Sequence, residues 1–221
     1  MIVASIRAVA VGAQEGSNNT VSKPTGTASG DLLVAICAND ETPGQFSSAP
    51  SGFSEIGRTT EVTDRPKFIA FSKPAGGSEP STYQFGVGTF MSNLVWLYAV
   101  QDLPANYSLF MSAGVGSSNA CAAPSIVTGT HGGIDPLVMT AHAAITEYTT
   151  RTFSTPSGMT ARGGALNALW MMGAGFSIGL SGSVDTGSRS STISASEPWR
   201  SLSLALVETP AAYKSRLFLP F

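Results

Sequence analysis

The sequence predicts an all-β fold, an antiparallel β-sandwich, from three observations on its 221 residues. Short apolar or alternating runs recur about every 10–15 residues and are separated by turns rich in Gly, Pro, Ser and Asn, which is typical of all-β domains. Helical periodicity is almost absent, and glycines beside the apolar runs indicate bulges and sharp bends. The second half of the chain also repeats landmarks of the first. Together these observations favour two packed sheets built from two related halves.

Three landmarks recur in the same order in both halves. Taken as first half and second half, they are 30–36 and 133–139, Pro50-Ser51-Gly52 and Pro156-Ser157-Gly158, and 94–100 and 202–207. The two Pro-Ser-Gly turns are 106 residues apart (156 minus 50). Solenoid repeats are much shorter, about 20–50 residues. The spacing therefore predicts a duplicated unit, with pseudo-repeats at about 1–106 and 107–209.

The two halves are expected to form one domain, 1–209, rather than two small ones, which remain the alternative. The joining segment 112–123 keeps Val115, Cys121 and Ala122 among its polar residues, unlike a solvated Gly/Ser spacer. Two sets of four to six strands in two packed sheets are the plan of a jelly roll. We therefore predict a jelly-roll-like sandwich, followed by a C-terminal tail at 210–221.

The strands follow from local patterns along the chain. The run 32–38 is continuously apolar and short, which predicts a strand buried on both faces. The segment 83–87 alternates most clearly, and 165–172 is expected to be a strand because glycines flank it. The other predicted strands are 2–11, 53–60, 67–72, 93–100, 107–113, 124–128, 137–143, 149–153, 159–162, 176–180, 190–194 and 201–208.

Composition narrows the classes of function. Charged residues make up 12% of the chain, against about 25% in an average soluble protein, so the surface polarity must come from uncharged side chains and backbone. A net charge of −2 without basic clusters argues against binding to nucleic acid or an anionic membrane. The first twelve residues read as a strand rather than a signal peptide, because they lack a basic start. The composition is typical of extracellular or virion proteins, yet no export signal is recognised. This combination suggests that the protein leaves its host by lysis, as part of a particle.

No pattern in the sequence indicates catalysis. The two histidines, His131 and His142, have no further metal ligands at short spacing, and no G-x-S-x-G motif or linked pair of carboxylates occurs. We therefore expect a protein that is not an enzyme and holds no cofactor or metal; a small hydrolase is the least supported alternative. Cys37 reads as a small buried hydrophobe, and a disulfide with Cys121 stays open.

Two features suggest binding instead. Trp96 and Trp170 lie in apolar runs and are expected in the core, whereas Trp199, beside Glu197-Pro198, is the candidate for a surface contact with a glycan. The C-terminus would expose apolar side chains to water if nothing covered it. We predict that this tail docks onto a partner or onto its own sandwich, through Tyr213, Arg216, Leu217, Phe218, Leu219 and Phe221.

Three segments together resemble a known module. They are 28–35 (ASGDLLVA), Pro50-Ser51-Gly52-Phe53 and 73–85 (KPAGGSEPSTYQF). They are similar to a β-sandwich module of tailed-phage structural genes, also found in bacterial surface and prophage proteins, that runs A-G-D-L-L-V-A, P-x-G-W/F and K-x-A-G-x-x-E-P-x-x-Y-x-F. The resemblance covers about the first 100 residues well and the second half loosely, and Phe53 stands where Trp is frequent.

The resemblance implies a structural protein of a phage virion, located on the particle exterior as a tail-fibre, tail-tip or capsid-decorating component. Such a protein binds other virion proteins and itself, as a homo-oligomer for which analogy suggests a trimer. The module supplies no functional residues that could be transferred to this chain. The alternative is a lectin-like module that binds a host glycan.

Overall fold

The computed structural model describes residues 4–40, 48–60, 65–128, 135–147, 149–168, 170–180 and 185–209, and only the backbone at 87–91 and 164–165. These residues form β-strands and no helix, so the all-β prediction is confirmed. The strands are β1 (Ser5–Ser22), β2 (Leu32–Asn39), β3 (Ser54–Arg58), β4 (Lys67–Pro74), β5 (Thr82–Gln101), β6 (Tyr107–Gly116), β7 (Ala120–Ala123), β8 (Leu137–Ile145), β9 (Thr160–Asn167), β10 (Met171–Gly179), β11 (Arg189–Thr192) and β12 (Trp199–Glu208).

Two antiparallel five-stranded sheets form the body, and each contains strands from one half of the chain. The first sheet has the order β1-β5-β2-β4-β3 and the second has the order β6-β12-β8-β10-β9. The two orders are identical when β1 is matched with β6, β2 with β8, β3 with β9, β4 with β10 and β5 with β12. The jelly-roll detail is not confirmed, because each half supplies one complete sheet rather than strands to both.

The two sheets face each other about an approximate two-fold axis. Across the sandwich β1 contacts β9 and β3 contacts β6, while β5 contacts β10 and β4 contacts β12. Each of these contacts maps onto its partner when matched strands of the two halves are exchanged. The layers are thus arranged like the subunits of a symmetric dimer joined in one chain.

The main core lies between the sheets and depends on period-2 alternation. Leu32, Val34 and Ile36 of β2 face Leu137 and Met139 of β8 in one buried cluster, with the other inward side chains around them. These apolar positions are the ones whose burial drives the association of two sheets.

Two glycines of β10 leave room for the largest inward side chains of the first sheet. Trp96 and Tyr98, both fully buried, project from β5 toward Gly173 and Gly175 of β10. A Cβ atom at Gly175 would lie 2.6 Å from Cδ1 of Trp96 and 2.7 Å from the hydroxyl oxygen of Tyr98. Glycine is therefore needed here for close approach, although its backbone conformation is ordinary.

A folded-back ribbon covers the outer face of the first sheet. The pairing of β1 with β5 shifts register after Gly16, where φ is +138°, and resumes between 18–22 and 82–86. Val21, Tyr83 and Phe85 then pack onto the outward side chains of β2. This cover explains why the continuous run 32–38 is buried on both faces, as the sequence predicts.

The second half builds the same cover from separate strands. β7 pairs with β11, and Cys121 and Ile193 pack with Ala144 on the outer face of the second sheet.

Several predicted strands differ from the structure. The segments 124–128 and 149–153 contribute only isolated bridges, at Val127 and Phe153, and the chain turns within 165–172 between β9 and β10.

Candidate binding surfaces

The first group of motif residues ties the start of β2 to neighbouring turns. Asp31 accepts two hydrogen bonds from Arg7, at 2.8 Å from Nε and 3.1 Å from Nη2, and a third from the backbone amide of Ala28 at 2.9 Å. The hydrogen bond with Asp31 raises the pKa of the Arg7 guanidinium. Backbone hydrogen bonds also join Gly30 and Asp31 to Ala75. The Gly-Asp motif therefore joins the start of β2 to β1 through a bidentate ion pair between Asp31 and Arg7.

The second group surrounds one buried carboxylate at the Gly-Gly turn. Glu79 accepts hydrogen bonds from Nζ of Lys73 at 2.6 Å, the hydroxyl of Tyr83 at 2.6 Å and the amide of Gly76 at 2.7 Å. Burial opposes ionisation, but these donors outweigh it and lower the pKa of Glu79 to about 2. Burial and the Glu79 carboxylate raise the pKa of Tyr83. The K-x-A-G-x-x-E-P-x-x-Y motif thus forms a stable turn.

The Pro50-Ser51-Gly52 turn positions an aromatic cover. Gly52 adopts a φ of +86°, which favours glycine, and a Cβ there would lie 3.0 Å from the side chain of Lys73. The next residue, Phe53, meets Tyr83 and Phe85 edge-on, with ring centroids 5.5 and 5.6 Å apart. The three segments that resemble the phage module, 28–35, 50–53 and 73–85, therefore lie in contact in one region of the first sheet.

The two cysteines and the described histidine are all buried in the fold. Cys37 and Cys121 are free thiols, and burial raises the pKa of both. His142 occupies the position in β8 that matches Cys37 in β2; burial lowers its pKa to about 3, and Nε2 lies 3.2 Å from the hydroxyl of Thr140. No group of three or more His, Cys, Asp or Glu suited to a metal ion occurs among the described residues. His131 lies outside them.

The structure reverses the expected positions of two tryptophans. Trp199 is only 6% exposed and packs with Cys121, Ala144 and Ile193, so the surface position expected for the candidate glycan contact is not found. Trp170, expected in the core with Trp96, is instead 40% exposed. It lies in the tight turn between β9 and β10, where Ala168 and Met171 exchange backbone hydrogen bonds.

Trp170 lies beside a polar group that links the two sheets. Its backbone amide donates a hydrogen bond of 2.9 Å to the hydroxyl of Ser92, which donates one of 2.6 Å to Glu15. The amide of Ser92 donates to Asp40 at 3.1 Å. Burial raises the pKa of Asp40 against the hydrogen bonds from Ser92, and Glu15 raises it further. Trp170 is thus a partly exposed indole on a turn whose backbone is tied to β5 through Ser92, and sugar rings stack on exposed indoles.

The sequence does not reveal this surface, because its pattern predicts one continuous strand over 165–172. Asn167 was the only local signal of a turn. The predicted docking tail, with Tyr213, Arg216, Leu217, Phe218, Leu219 and Phe221, lies outside the described residues. The described part of the chain contains no helix that is long and apolar enough to cross a membrane.

The chain matches no protein-family model and none of the curated proteins with which it was compared. The similarity to the tailed-phage module therefore stays a prediction that rests on the motif residues. What the structure adds is the physical role of those residues, which is to fix turns, strand crossings and the outer cover of one sheet.

Proposed function

We propose that this protein is a structural component on the exterior of a bacteriophage particle and acts by protein–protein binding. The observation that carries the proposal is the engagement of the motif residues. Asp31 and Glu79, the ionisable groups of the phage-like motif most suited to chemistry, are each held by three hydrogen bonds within the fold. A motif used in this way supports a rigid scaffold that presents surfaces.

The test is to find the protein on particles. Phage particles from lysed cells would be purified by density gradient and examined by quantitative mass spectrometry and by labelling with antibody and electron microscopy. We expect several copies per particle and label on the outside. Presence of the protein in the lysate and its absence from purified particles would contradict the proposal.

The apolar tail is the proposed attachment point to another particle protein. Deletion of 217–221 should leave a folded domain, because the described sandwich ends at residue 209, but should prevent incorporation into particles. A Lys214→Gln variant keeps the apolar end and serves as the matched control. Normal incorporation of the shortened protein would contradict a docking role for the tail.

A glycan-binding role is the second candidate, and the exposure of Trp170 favours it. Sugar rings stack on exposed indoles, and the Trp170 indole is 40% exposed on a turn that Ser92 fixes to the first sheet. Glycan-array binding that is lost in Trp170→Ala and partly retained in Trp170→Phe would support this role. Absence of glycan binding by the wild-type protein would leave the structural role alone.

A further inference from the structure

A row of polar side chains is buried on the outer face of the first sheet. Asn39 of β2 lies between Lys67 of β4 and Asn93 of β5, directly opposite each of them in the strand registers. The next row along this face, Cys37 opposite Ile69, belongs to the apolar cluster under the ribbon. Because side chains alternate between the two faces of a strand, the polar row points to the same side. Asn39 and Asn93 are fully buried, and Lys67 is only 5% exposed.

The fold itself does not require polar groups at these positions. When matched strands of the two halves are exchanged, Asn39 of β2 corresponds to Ala144 of β8. Ala144 lies opposite Met172 of β10 and Trp199 of β12. The second sheet therefore holds Ala, Met and Trp where the first holds Asn, Lys and Asn. Since a sandwich layer of this design accommodates an apolar row, the polar row needs another explanation.

The side chain of Asn39 is the unusual member of the row. In the part of the chain that the structure describes, neither polar atom of its amide has a hydrogen-bond partner, although both are buried. Buried polar groups are nearly always paired, because an unpaired one is costly. The amide of Asn93 differs, since it donates a hydrogen bond of 2.8 Å to the carbonyl of Gly16. Asn39 therefore presents an amide that no other described group holds in place.

We propose that the amine of Lys67 and the side-chain amide of Asn39 condense to an isopeptide bond that joins β4 to β2. The neutral Nζ attacks Cγ of Asn39, and the bond from Cγ to Nδ2 breaks. The Nδ2 nitrogen takes one proton from the attacking nitrogen and leaves as ammonia, so the step needs no oxidant, reductant or other co-reactant. A group that interacts with the amine of Lys67 assists the step by carrying this proton.

The placement of the two groups favours this reaction. Opposite residues of an antiparallel pair have Cβ atoms about 4.5–5.5 Å apart, a gap that a lysine side chain spans. The pairing of β2 with β4 holds the amine and the amide side by side, which makes the reaction intramolecular. The attacking amine must be neutral, and burial away from water favours the neutral form of a lysine. Release of ammonia also removes the buried Nδ2 donor of Asn39.

Mass spectrometry of the intact, unfolded protein measures the bond. The inference goes beyond the proposed function and does not depend on it, because the test needs only the isolated full chain. We expect the wild-type mass to be lower than the mass of its sequence by one molecule of ammonia. Protease digestion should release a branched peptide in which the segment of Lys67 is joined to the segment of Asn39.

The second half of the chain suggests the variants for the controls. Lys67→Met and Asn39→Ala introduce the residues that β10 and β8 carry at the matched positions, and both should show the full mass of their sequences. Lys23→Met removes a lysine outside the row and should keep the loss of ammonia.

Two results would overturn the proposal. The first is a wild-type protein of full mass without a branched peptide, which can be observed even if a variant fails to fold. The second is a loss of ammonia that persists in Lys67→Met, because Asn39 would then have cyclised onto its own backbone.

Discussion

Replacement of Gly175 by alanine tests whether the two sheets depend on bare backbone beneath the aromatic core. The new Cβ would lie 2.6 Å from Cδ1 and 2.9 Å from Nε1 of Trp96, and 2.7 Å from the hydroxyl of Tyr98. Each distance is well below the 3.5–4.0 Å at which carbon atoms pack favourably. Both aromatic side chains are fully buried, so neither can move into solvent to relieve the contact.

The expected cost is that of overpacking a dense interior, about 1–3 kcal/mol. In a chain of this size each kcal/mol lowers the melting temperature by about 2–4 °C. Because the clash is with Trp96, the Trp96→Leu background should reduce the cost of Gly175→Ala, with a coupling energy of about 0.5–3 kcal/mol in a double-mutant cycle.

Urea unfolding followed by circular dichroism measures the free energy of unfolding of each variant. Gly179→Ala is the matched control, because Gly179 lies on the same strand and a Cβ there meets nothing within 4 Å. We expect its stability to change by less than about 0.5 kcal/mol. Equal stability of Gly175→Ala and wild type, or an equal loss in Gly179→Ala, would refute the argument from close approach.

Three further predictions concern buried polar and aromatic groups. The pKa of Glu79 is lowered from 4.5 to about 2, so its contribution of about 3 kcal/mol is present above pH 4.5 and is lost as the pH falls toward 2; unfolding titrations of Glu79→Gln should lack this loss. His142 is held neutral with a pKa lowered from 6.5 to about 3, so stability should also fall as the pH drops from 6.5 toward 3, and a slope unchanged in His142→Gln would contradict this assignment. Trp199→Ala should lower the free energy of unfolding by about 3–5 kcal/mol, and Trp170→Ala should lower it by less because its indole is 40% exposed; the reverse order in urea unfolding would contradict the burial of Trp199.

The sequence was sufficient to predict the fold class and the most buried strand. The run 32–38 is apolar at every position and is too short for an average helix, which together are typical of a strand covered on both faces. It could not predict how far β1 extends, because 14–20 is polar and reads as a loop. The ribbon forms there because backbone pairing with β5 and the side chain of Asn19, which donates hydrogen bonds to the carbonyls of Gly12 and Asn93, compensate for the polar sequence.

Which side chains are exposed was harder to predict, because contacts with distant parts of the chain decide the exposure. Trp199 looked exposed beside Glu197 and Arg200, yet Arg200 is itself buried and donates a hydrogen bond of 2.8 Å to the carbonyl of Thr60 in the other half. Glu197 is engaged by Arg151 at 2.7 Å. Charged neighbours indicate exposure only when they reach water, and here both bind distant parts of the chain.

The two sheets follow one another in the sequence, and this order has a consequence for co-translational folding. The first sheet is complete at Gln101, whereas the last strand of the second ends at Glu208, 107 residues later (208 minus 101). Translation of that stretch takes about 5–20 s at roughly 5–20 residues per second. During this interval the nascent first sheet holds Trp96 and its neighbours toward an opposing layer that does not yet exist. In nascent chains on one messenger RNA, packing of each first sheet against its own second sheet therefore competes with exchange of sheets between neighbouring chains.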